Sequence, residues 1–243
     1  MKILALDSSG LVASVAIVED TQMIAEYTIN YKKTHSQTLL PMIDEVAQMI
    51  GLDMTSIDAI ALPAGPGSFT GLRIGAATAK GLGLALDKPL VAVPTIAALA
   101  YNLYGSNSLI CPLMDARRGQ VYTGVYYFEG DNMVTLKEQC AESIEATIEY
   151  LNKEKRPVIF LGDGVPVHKG VIGDMMNGEY SFAPAHLNRQ RAGALAALAS
   201  IYYAKGEIVS ADDYRPDYLR LSQAERERAK KEKVNASSTG DDS

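Results

Sequence analysis

The amino-acid sequence predicts an α/β protein made of two related halves, each with a mixed sheet flanked by helices. Three observations support this fold class. Segments rich in Val and Ile alternate with helical segments, and the same order of elements returns in the second half. The chain has 243 residues, which exceeds the usual domain of about 100–150 residues. Apolar residues make up 47% and charged residues 21%, a balance typical of a globular protein with a full core.

The first half opens with three predicted strands that are separated by short polar breaks, which favours an antiparallel meander. These strands lie at 2–7, 11–19 and 22–31. Thr34 and Gln37 form a capping box that begins a helix, which runs to about Ile50 and ends at Gly51. The remaining predicted elements are a strand at 57–63, a helix at 70–86, a strand at 90–93 and a helix at 95–103.

The second half restarts this pattern with a meander, a helix and a strand. The predicted strands lie at 108–114, 119–128, 132–139 and 157–161, and the helix lies at 141–152. Such a duplication is typical of the actin-like ATPase fold, while a general α/β protein is the alternative. We therefore predict actin-like halves at 1–104 and 105–221, followed by a charged helical and disordered tail at 222–243.

Charge and targeting signals narrow the classes of function. A net charge of −6 argues against a protein that binds nucleic acid unaided, so we expect any RNA role to be indirect. The segment 220–233 holds six Lys or Arg against three Glu; it could contact RNA, although a solvated helix is the commoner meaning. Cys111 and Cys140 stand outside CxxC spacing and no signal peptide is evident, which predicts a cytoplasmic location. The apolar run 74–86 contains Lys80 and is too short to span a membrane.

Three short segments are candidates for phosphate binding. In the first half, a glycine loop between a strand and a helix could direct backbone N–H groups at an anion, and the polar turn after the first strand could add to it. In the second half, a matching turn carries two arginines, which suit phosphate oxygens. Ordinary turns are equally consistent with all three segments, since none matches a Walker or dinucleotide motif. The candidate residues are Asp7, Ser8, Ser9, Gly65, Gly67, Ser68, Asp115, Arg117 and Gly119.

The usual catalytic patterns are missing from the sequence. His35, His168 and His186 do not form HxxxH or HExxH spacing, which predicts that no metal site of that kind exists. The serines lack a GxSxG elbow and neither cysteine has an evident base, so a nucleophilic hydrolase has no support. We therefore predict no catalytic residues, and we expect His35 to make local hydrogen bonds or an interface contact.

Two helices of the first half carry more apolar or small surface than one core-facing stripe requires, which predicts a partner interface. The first helix has an apolar stripe widened by methionines, which suit adaptable contacts. The second has small residues every fourth position, which lets another helix approach closely; packing within the same chain is the equal alternative. The predicted interface residues are Leu39, Leu40, Met42, Ile43, Val46, Met49, Gly71, Leu72, Gly75, Ala79 and Gly83.

Six segments of the chain closely resemble the bacterial TsaB family, also called YeaZ. They read ILALDSS, HSQTLLP, PAGPGSFTGLRIG, KGLGLALDKPLVAVPT, DARRGQVYTGVY and DDYRPDYLRLSQAE. The resemblance implies the actin-like fold and a non-catalytic scaffold that activates TsaD, the enzyme that places threonylcarbamoyl on N6 of adenosine 37 in tRNAs reading ANN codons. It also implies the ATPase TsaE as a partner and a functional link to TsaC, which makes the threonylcarbamoyl adenylate.

The same resemblance implies how this chain differs from TsaD. Thr95 and Leu99 stand where TsaD has its two metal-binding histidines, and neither side chain offers an imidazole nitrogen. Pairing in the family runs through the two helices of the first half, in the TsaD heterodimer and in homodimers. We expect no cofactor, with weak ATP or ADP binding left open. The rival hypotheses are an M22-type metal-dependent glycoprotease and an actin-fold small-molecule kinase.

Overall fold

The computed structural model describes residues 1–31 and 35–216. The first half forms five strands and three helices. They are β1 (Lys2–Asp7), β2 (Ala13–Glu19), β3 (Gln22–Ile29), α1 (His35–Met49), β4 (Ala59–Gly65), α2 (Phe69–Leu86), β5 (Leu90–Pro94) and α3 (Thr95–Ala100). The second half forms β6 (Leu109–Arg117), β7 (Gln120–Glu129), β8 (Asn132–Ser143), α4 (Ile144–Glu154), β9 (Val158–Leu161), α5 (Gly164–Met175), β10 (Tyr180–Phe182) and α6 (Ala192–Ala204). The order of elements is thus the same in both halves.

Each half builds one five-stranded sheet, and the two sheets share one topology. The first has the order β3-β2-β1-β4-β5 and the second the order β8-β7-β6-β9-β10. In both, the first three strands are antiparallel neighbours and the last two join in parallel. This duplicated mixed sheet with flanking helices confirms the predicted actin-like fold class.

The strands are apolar on both sides because each sheet lies between two helix layers. Ile3 and Ala5 of β1 face a central core between the sheets, while Leu4 and Leu6 face α1 and α2. A third core joins the second sheet to α4 and α5 around Phe160. Alternate side chains of β1 therefore pack into two different cores, one on each side of the sheet.

The last helices of the halves meet in the central core. Leu99 of α3 and Leu195 of α6 both belong to this core, together with residues of both sheets. Helix α3 packs against β6 and β7 of the second sheet, and α6 packs against β1, β2 and β5 of the first. Both helices are apolar around much of their circumference, so each needs neighbours on more than one side.

This exchange corrects the predicted division of the chain. Helix α6 lies within the range 105–221 but packs on the first sheet, and residues beyond it return there too. Val209 exchanges backbone hydrogen bonds with Leu90, and Tyr214 joins the core beneath α2. The predicted halves at 1–104 and 105–221 therefore match the repeat of elements but not the packing units. The predicted capping box at Thr34 and the tail at 222–243 lie outside the described residues.

An ion pair anchors α6 to the first sheet. The Glu26 carboxylate of β3 accepts a hydrogen bond from the Gly193 N–H at 2.9 Å and is paired with Arg191. The Ser14 hydroxyl accepts from the Ala192 N–H at 2.9 Å. These acceptors satisfy donors of the first turn of α6, where a negative charge also suits the helix dipole.

Three elements were not predicted from the sequence, namely α5, β10 and α6. Helix α6 lacks the amphipathic period by which surface helices are recognised in a sequence.

Candidate functional site: two repeated turns and an outer helix layer

The turn after β1 is buried and closed by its own side chains. Asp7 is 1% exposed, and its Oδ1 accepts from the Ser9 N–H at 2.8 Å and from the Ser9 hydroxyl at 2.7 Å. Burial raises the pKa of the Asp7 carboxyl, while the two hydrogen bonds from Ser9 and the nearby His35 oppose that rise. The turn is thus held together by a carboxyl group that folding removes from water.

The glycine loop packs directly on this turn. The Ser68 N–H donates to the Ser9 carbonyl oxygen at 2.7 Å, and the Ser8 hydroxyl donates to the Gly71 carbonyl oxygen at 2.9 Å. A Cβ atom added to Gly67 would lie 2.5 Å from the Ser9 oxygen, so glycine is needed there for the close approach. The glycine loop and the turn after β1 are therefore packed in direct contact.

These contacts bear on the first part of the phosphate prediction. The Ser8 and Ser9 hydroxyls and several of the loop amides already donate to acceptors within the chain. The Ser68 hydroxyl accepts from the Gly71 N–H at 3.3 Å, so an anion would have to replace partners within the chain. Phosphate binding stays a prediction for Asp7, Ser8, Ser9, Gly65, Gly67 and Ser68.

Gly65 links three parts of the molecule. Its N–H donates to the Thr95 hydroxyl at 3.1 Å, and its carbonyl oxygen accepts from the Gln139 side chain at 3.1 Å. Gln139 lies on β8, so this bond crosses from the second half to the first. Thr95 is fully buried, and Leu99 lies one turn later in the central core. Both positions that the family resemblance singled out therefore have packing roles.

The corresponding turn after β6 is exposed. The Arg117 N–H donates to the Asp115 carboxylate at 2.8 Å, which repeats the bond between Ser9 and Asp7. Arg117, Arg118 and Gly119 all have positive φ, at 64°, 59° and 71°. The tip thus presents two arginine side chains to solvent on a backbone that non-glycine residues rarely adopt. For Asp115, Arg117 and Gly119, phosphate binding stays a prediction.

Behind the exposed turn lies a carboxyl group that the sequence analysis missed. Asp163 accepts from the Asp115 N–H at 3.1 Å. Burial raises the pKa of Asp163, and this bond and the charge of Arg189 oppose the rise. The segment Gly162–Gly164 directly after β9 is the signal that could have revealed it, because a glycine turn at a strand end commonly marks a site in α/β folds.

His35 has the local role that we expected. Its Nε2 is 2.8 Å from the Gly10 carbonyl oxygen, which can only accept, so Nε2 carries the proton of this bond. Gln190 is 2% exposed and also packs against Gly10. The first turn of α1 is therefore tied to the turn after β1.

The small-residue ridge of α2 faces the inside of the chain. A Cβ added to Gly71 would overlap the Ser8 carbonyl oxygen, and one added to Gly75 would lie 2.5 Å from the Ser8 hydroxyl. A Cβ on Gly83 would lie 3.1 Å from Ala211. The ridge thus permits close packing of α2 on β1 and on the chain after α6. The partner-interface prediction is wrong for Gly71, Leu72, Gly75, Ala79 and Gly83, which are all buried.

The apolar stripe of α1 is divided in the same way. Its inner residues pack in the core under α1 and α2, so the interface prediction is also wrong for Leu39, Met42, Ile43 and Val46. Leu40 and Met49 point outward and are 55% and 78% exposed. For these two residues, a role in partner binding stays a prediction.

The outward face of α2 was not predicted. Arg73, Ala77, Gly81 and Leu84 recur at helical spacing and are all exposed; we call them the outer α2 stripe. Leu84 is 56% exposed, and nothing lies within 4 Å of a Cβ added to Gly81. The stripe is therefore an apolar and nearly uncharged surface that is accessible to another helix.

Residues 1–31 and 35–216 lack two features that mark other classes of protein. No group of three or more His, Cys, Asp and Glu side chains in this part of the chain is arranged to hold a metal ion. No helix there combines the length and apolar character needed to cross a membrane.

Comparison with known proteins places the chain in a family. The family model of TsaD, tRNA N6-adenosine threonylcarbamoyltransferase, matches residues 22–228. The tRNA threonylcarbamoyladenosine biosynthesis protein TsaB of Bacillus subtilis is 34% identical, over 93% of this chain and 96% of its own length. The protein of the same name from Escherichia coli is 29% identical, over 90% of this chain and 95% of its own length.

A solved structure agrees with this assignment. YeaZ from Pseudomonas aeruginosa has 29% sequence identity and a TM-score of 0.77, over 89% of this chain and 99% of its own. The family resemblance found in the sequence motifs is thereby confirmed. The chain belongs to the TsaB (YeaZ) family of tRNA threonylcarbamoyladenosine biosynthesis proteins.

Proposed function

We propose that the chain is a non-catalytic scaffold that activates TsaD in the formation of threonylcarbamoyl on N6 of adenosine 37, in tRNAs that read ANN codons. Involvement in this modification follows from the family. The observation that carries the scaffold role is the outer helix layer, where the outer α2 stripe and exposed Leu40 and Met49 lie on two helices that pack against each other. An exposed apolar surface of this kind is typical of an interaction site.

The outer α2 stripe suits a helix of the partner. Ala77 and Gly81 lack large side chains, so a second helix can approach α2 closely, and Leu84 offers an apolar anchor at one end. Met49 supplies an adaptable contact on α1. We propose TsaD as the occupant of this surface and a second copy of the chain as its occupant when TsaD is absent.

A non-catalytic role is supported by the use that the fold makes of its polar residues. Thr95 holds Gly65, Leu99 fills the central core, and the serines of the first turn bond within the chain. The Asp7 Oδ1 oxygen is likewise the acceptor of both Ser9 bonds. The chemistry would therefore reside in TsaD, with TsaE as a further partner and TsaC as the source of the threonylcarbamoyl adenylate.

Weak binding of ATP or ADP and contact with tRNA are secondary parts of the proposal. The exposed arginines of the turn after β6 support nucleotide binding, either in this chain or at its junction with TsaD. The acidic composition supports indirect contact with tRNA. The two cysteines outside CxxC spacing support a cytoplasmic location.

The decisive experiment mixes the full chain with TsaD from the same organism. We expect sedimentation to show a defined complex, and threonylcarbamoyl transfer to tRNA with TsaC, TsaE, ATP, bicarbonate and threonine to require the chain. The chain alone should be inert. Transfer by TsaD that is equally fast without the chain would contradict the proposal, as would stoichiometric metal in the purified chain together with peptidase activity.

A further inference from the structure

A small cavity lies at the carboxyl ends of β9 and β10, outside the surfaces described above. Its volume is about 230 Å³. Ligands of open α/β sheets commonly bind beyond the carboxyl ends of parallel strands, and β9 and β10 are parallel. The lining residues are Phe160, Leu161, Gly162, Val165, Pro166, Lys169, Phe182, Ala183, Asn188 and Arg189.

Most of the cavity wall is apolar. Phe160 is fully buried and Phe182 partly buried, with ring centroids 6.2 Å apart, and Val165 and Pro166 add aliphatic surface from α5. The volume lies below the roughly 300–1,000 Å³ of sites for drug-sized ligands. The cavity therefore suits a small molecule with a planar or compact apolar body.

The charged residues of the lining are both basic. In a chain of net charge −6, the described residues that line the cavity include Lys169 and Arg189 but no carboxylate. The Lys169 ammonium lies 5.3 Å from the centroid of the Phe182 ring. Arg189 donates to the carbonyl oxygens of Gly162 and Asn188 at 3.0 Å and 2.9 Å. Its positive charge also opposes the rise in the pKa of Asp163. Lys169 is therefore the cation that is better placed to receive an anion.

The wall opposite α5 is held in place before any ligand arrives. The Gly162 N–H donates to the Asn188 carbonyl oxygen at 3.0 Å, and the Ala183 N–H donates to the Phe160 carbonyl oxygen at 2.9 Å. The Asn102 amide donates to the carbonyl oxygens of Leu187 and Arg189 at 2.9 Å and 2.6 Å. A preformed site loses less conformational entropy when it binds a ligand.

We propose that this cavity binds a small organic carboxylate with an apolar, planar body. The body would pack on the Phe182 ring and on Val165 and Pro166 of α5, and the carboxylate would meet the Lys169 ammonium at the mouth. A charge-assisted hydrogen bond of this kind is among the stronger polar contacts. An inorganic anion would gain little from the apolar wall, so the lining favours a ligand with both parts. This inference does not depend on the proposed role with TsaD.

Benzoate serves as the probe, with the full chain labelled with ¹⁵N and titrated at millimolar ligand. We expect saturable shifts of the amide signals of Gly162, Val165, Lys169 and Ala183. The neutral isostere benzamide should bind about tenfold more weakly, since it loses the charge on its acceptor. Benzylamine and inorganic phosphate should leave these signals unchanged.

Variants test the role of the cation. Lys169→Met should weaken benzoate binding about tenfold while keeping the aliphatic contact with Phe182, and Lys169→Arg should retain it. Lys153→Met removes an equal charge from the exposed face of α4 and should leave binding unchanged. Equal binding of benzamide and benzoate, an unaltered affinity of Lys169→Met, or shifts confined to other parts of the chain would each overturn the proposal.

Discussion

The two helix layers on the outside of the molecule occupy equivalent places in the repeat but have different surfaces. Helix α4 turns Glu145, Glu149 and Lys153 toward solvent, which is an ordinary charged surface. The layer of α1 and α2 exposes Leu40, Met49 and the outer α2 stripe, in which Arg73 is the single charged residue. Because both layers cover similar sheets, core packing does not explain this difference. We therefore place the proposed partner surface on the first layer.

The two turns differ in the opposite sense. Both repeat the same bond from the backbone N–H of residue i+2 to an aspartate, at Asp7 and at Asp115. The first turn is buried under the N-terminus of α2, and the second stays exposed with its arginines. The first half thus has a buried turn and an exposed apolar helix surface. The second half has an exposed turn and a charged surface on α4.

The largest expected effect separates the two faces of α2. Gly71→Ala should destabilise the chain by about 3 kcal/mol or more, because its Cβ would overlap the rigid Ser8 carbonyl group. The matched change Gly81→Ala on the outer face should stabilise it by about 1 kcal/mol, since it meets open space and improves helix propensity. Urea denaturation measures both. A stable Gly71→Ala chain would contradict the inward position of the ridge.

The next effect tests which helix layer binds TsaD. Leu84→Asp should weaken the complex about thirtyfold or more, as expected for an apolar anchor of an interface, without loss of stability. Val167→Asp on α5 is the matched control, since Val167 is 61% exposed on the other layer. Sedimentation or calorimetric titration gives the affinities. If Val167→Asp weakens the complex and Leu84→Asp does not, the assignment of the two layers is reversed.

A smaller effect compares one acidic contact in each half. Glu26→Gln should cost about 2 kcal/mol, because Glu26 is nearly buried and its loss leaves Arg191 without its ion pair. Glu142→Gln should cost about 1 kcal/mol, since the Glu142 side chain is 21% exposed against 8% for Glu26. Denaturant midpoints at neutral pH compare the two variants. Equal costs would mean that the anchor of α6 is no stronger than a surface pair.

The subtlest expectation concerns pH. The pKa of Asp7 in the folded chain lies above the ordinary 3.8, so the folded state holds its proton more tightly than the unfolded state. Its contribution to stability is therefore present below pH 3.8 and is lost as pH rises through the folded pKa. Asp7→Asn removes this titration and keeps an oxygen for the Ser9 bonds.

The measurement is the free energy of unfolding of both chains from pH 4 upward. We expect the free energy of unfolding of Asp7→Asn to increase relative to that of the parent chain as pH rises. Above the folded pKa of Asp7, the difference between the two chains should stay constant. Asp115→Asn, at the exposed turn, controls for the loss of one carboxylate. Parallel curves for Asp7→Asn and the parent chain would show that burial of Asp7 has no cost.

The local pattern of residues was sufficient to predict much of the fold. The Val- and Ile-rich segments between polar breaks and the apolar run of α2 are local features of the chain, so β1, α2 and the meanders were predicted within a few residues. The motif resemblance supplied the family. The missed elements are α5, β10 and α6; α6 is apolar on nearly every side, which leaves no period to read.

Only the tertiary structure decided what each apolar or polar residue contacts. The spacing of Gly71, Gly75, Ala79 and Gly83 predicts that something packs closely on α2, but the same spacing serves a partner helix or the chain's own β1 turn equally well. Likewise, the sequence marked Ser8 and Ser9 as donors, and the fold supplied their acceptors within the chain. By itself the sequence determined the repeat, the strands and the family. Which faces are inside depends on contacts between residues far apart in the chain, and those exist only once the two sheets have packed around α3 and α6.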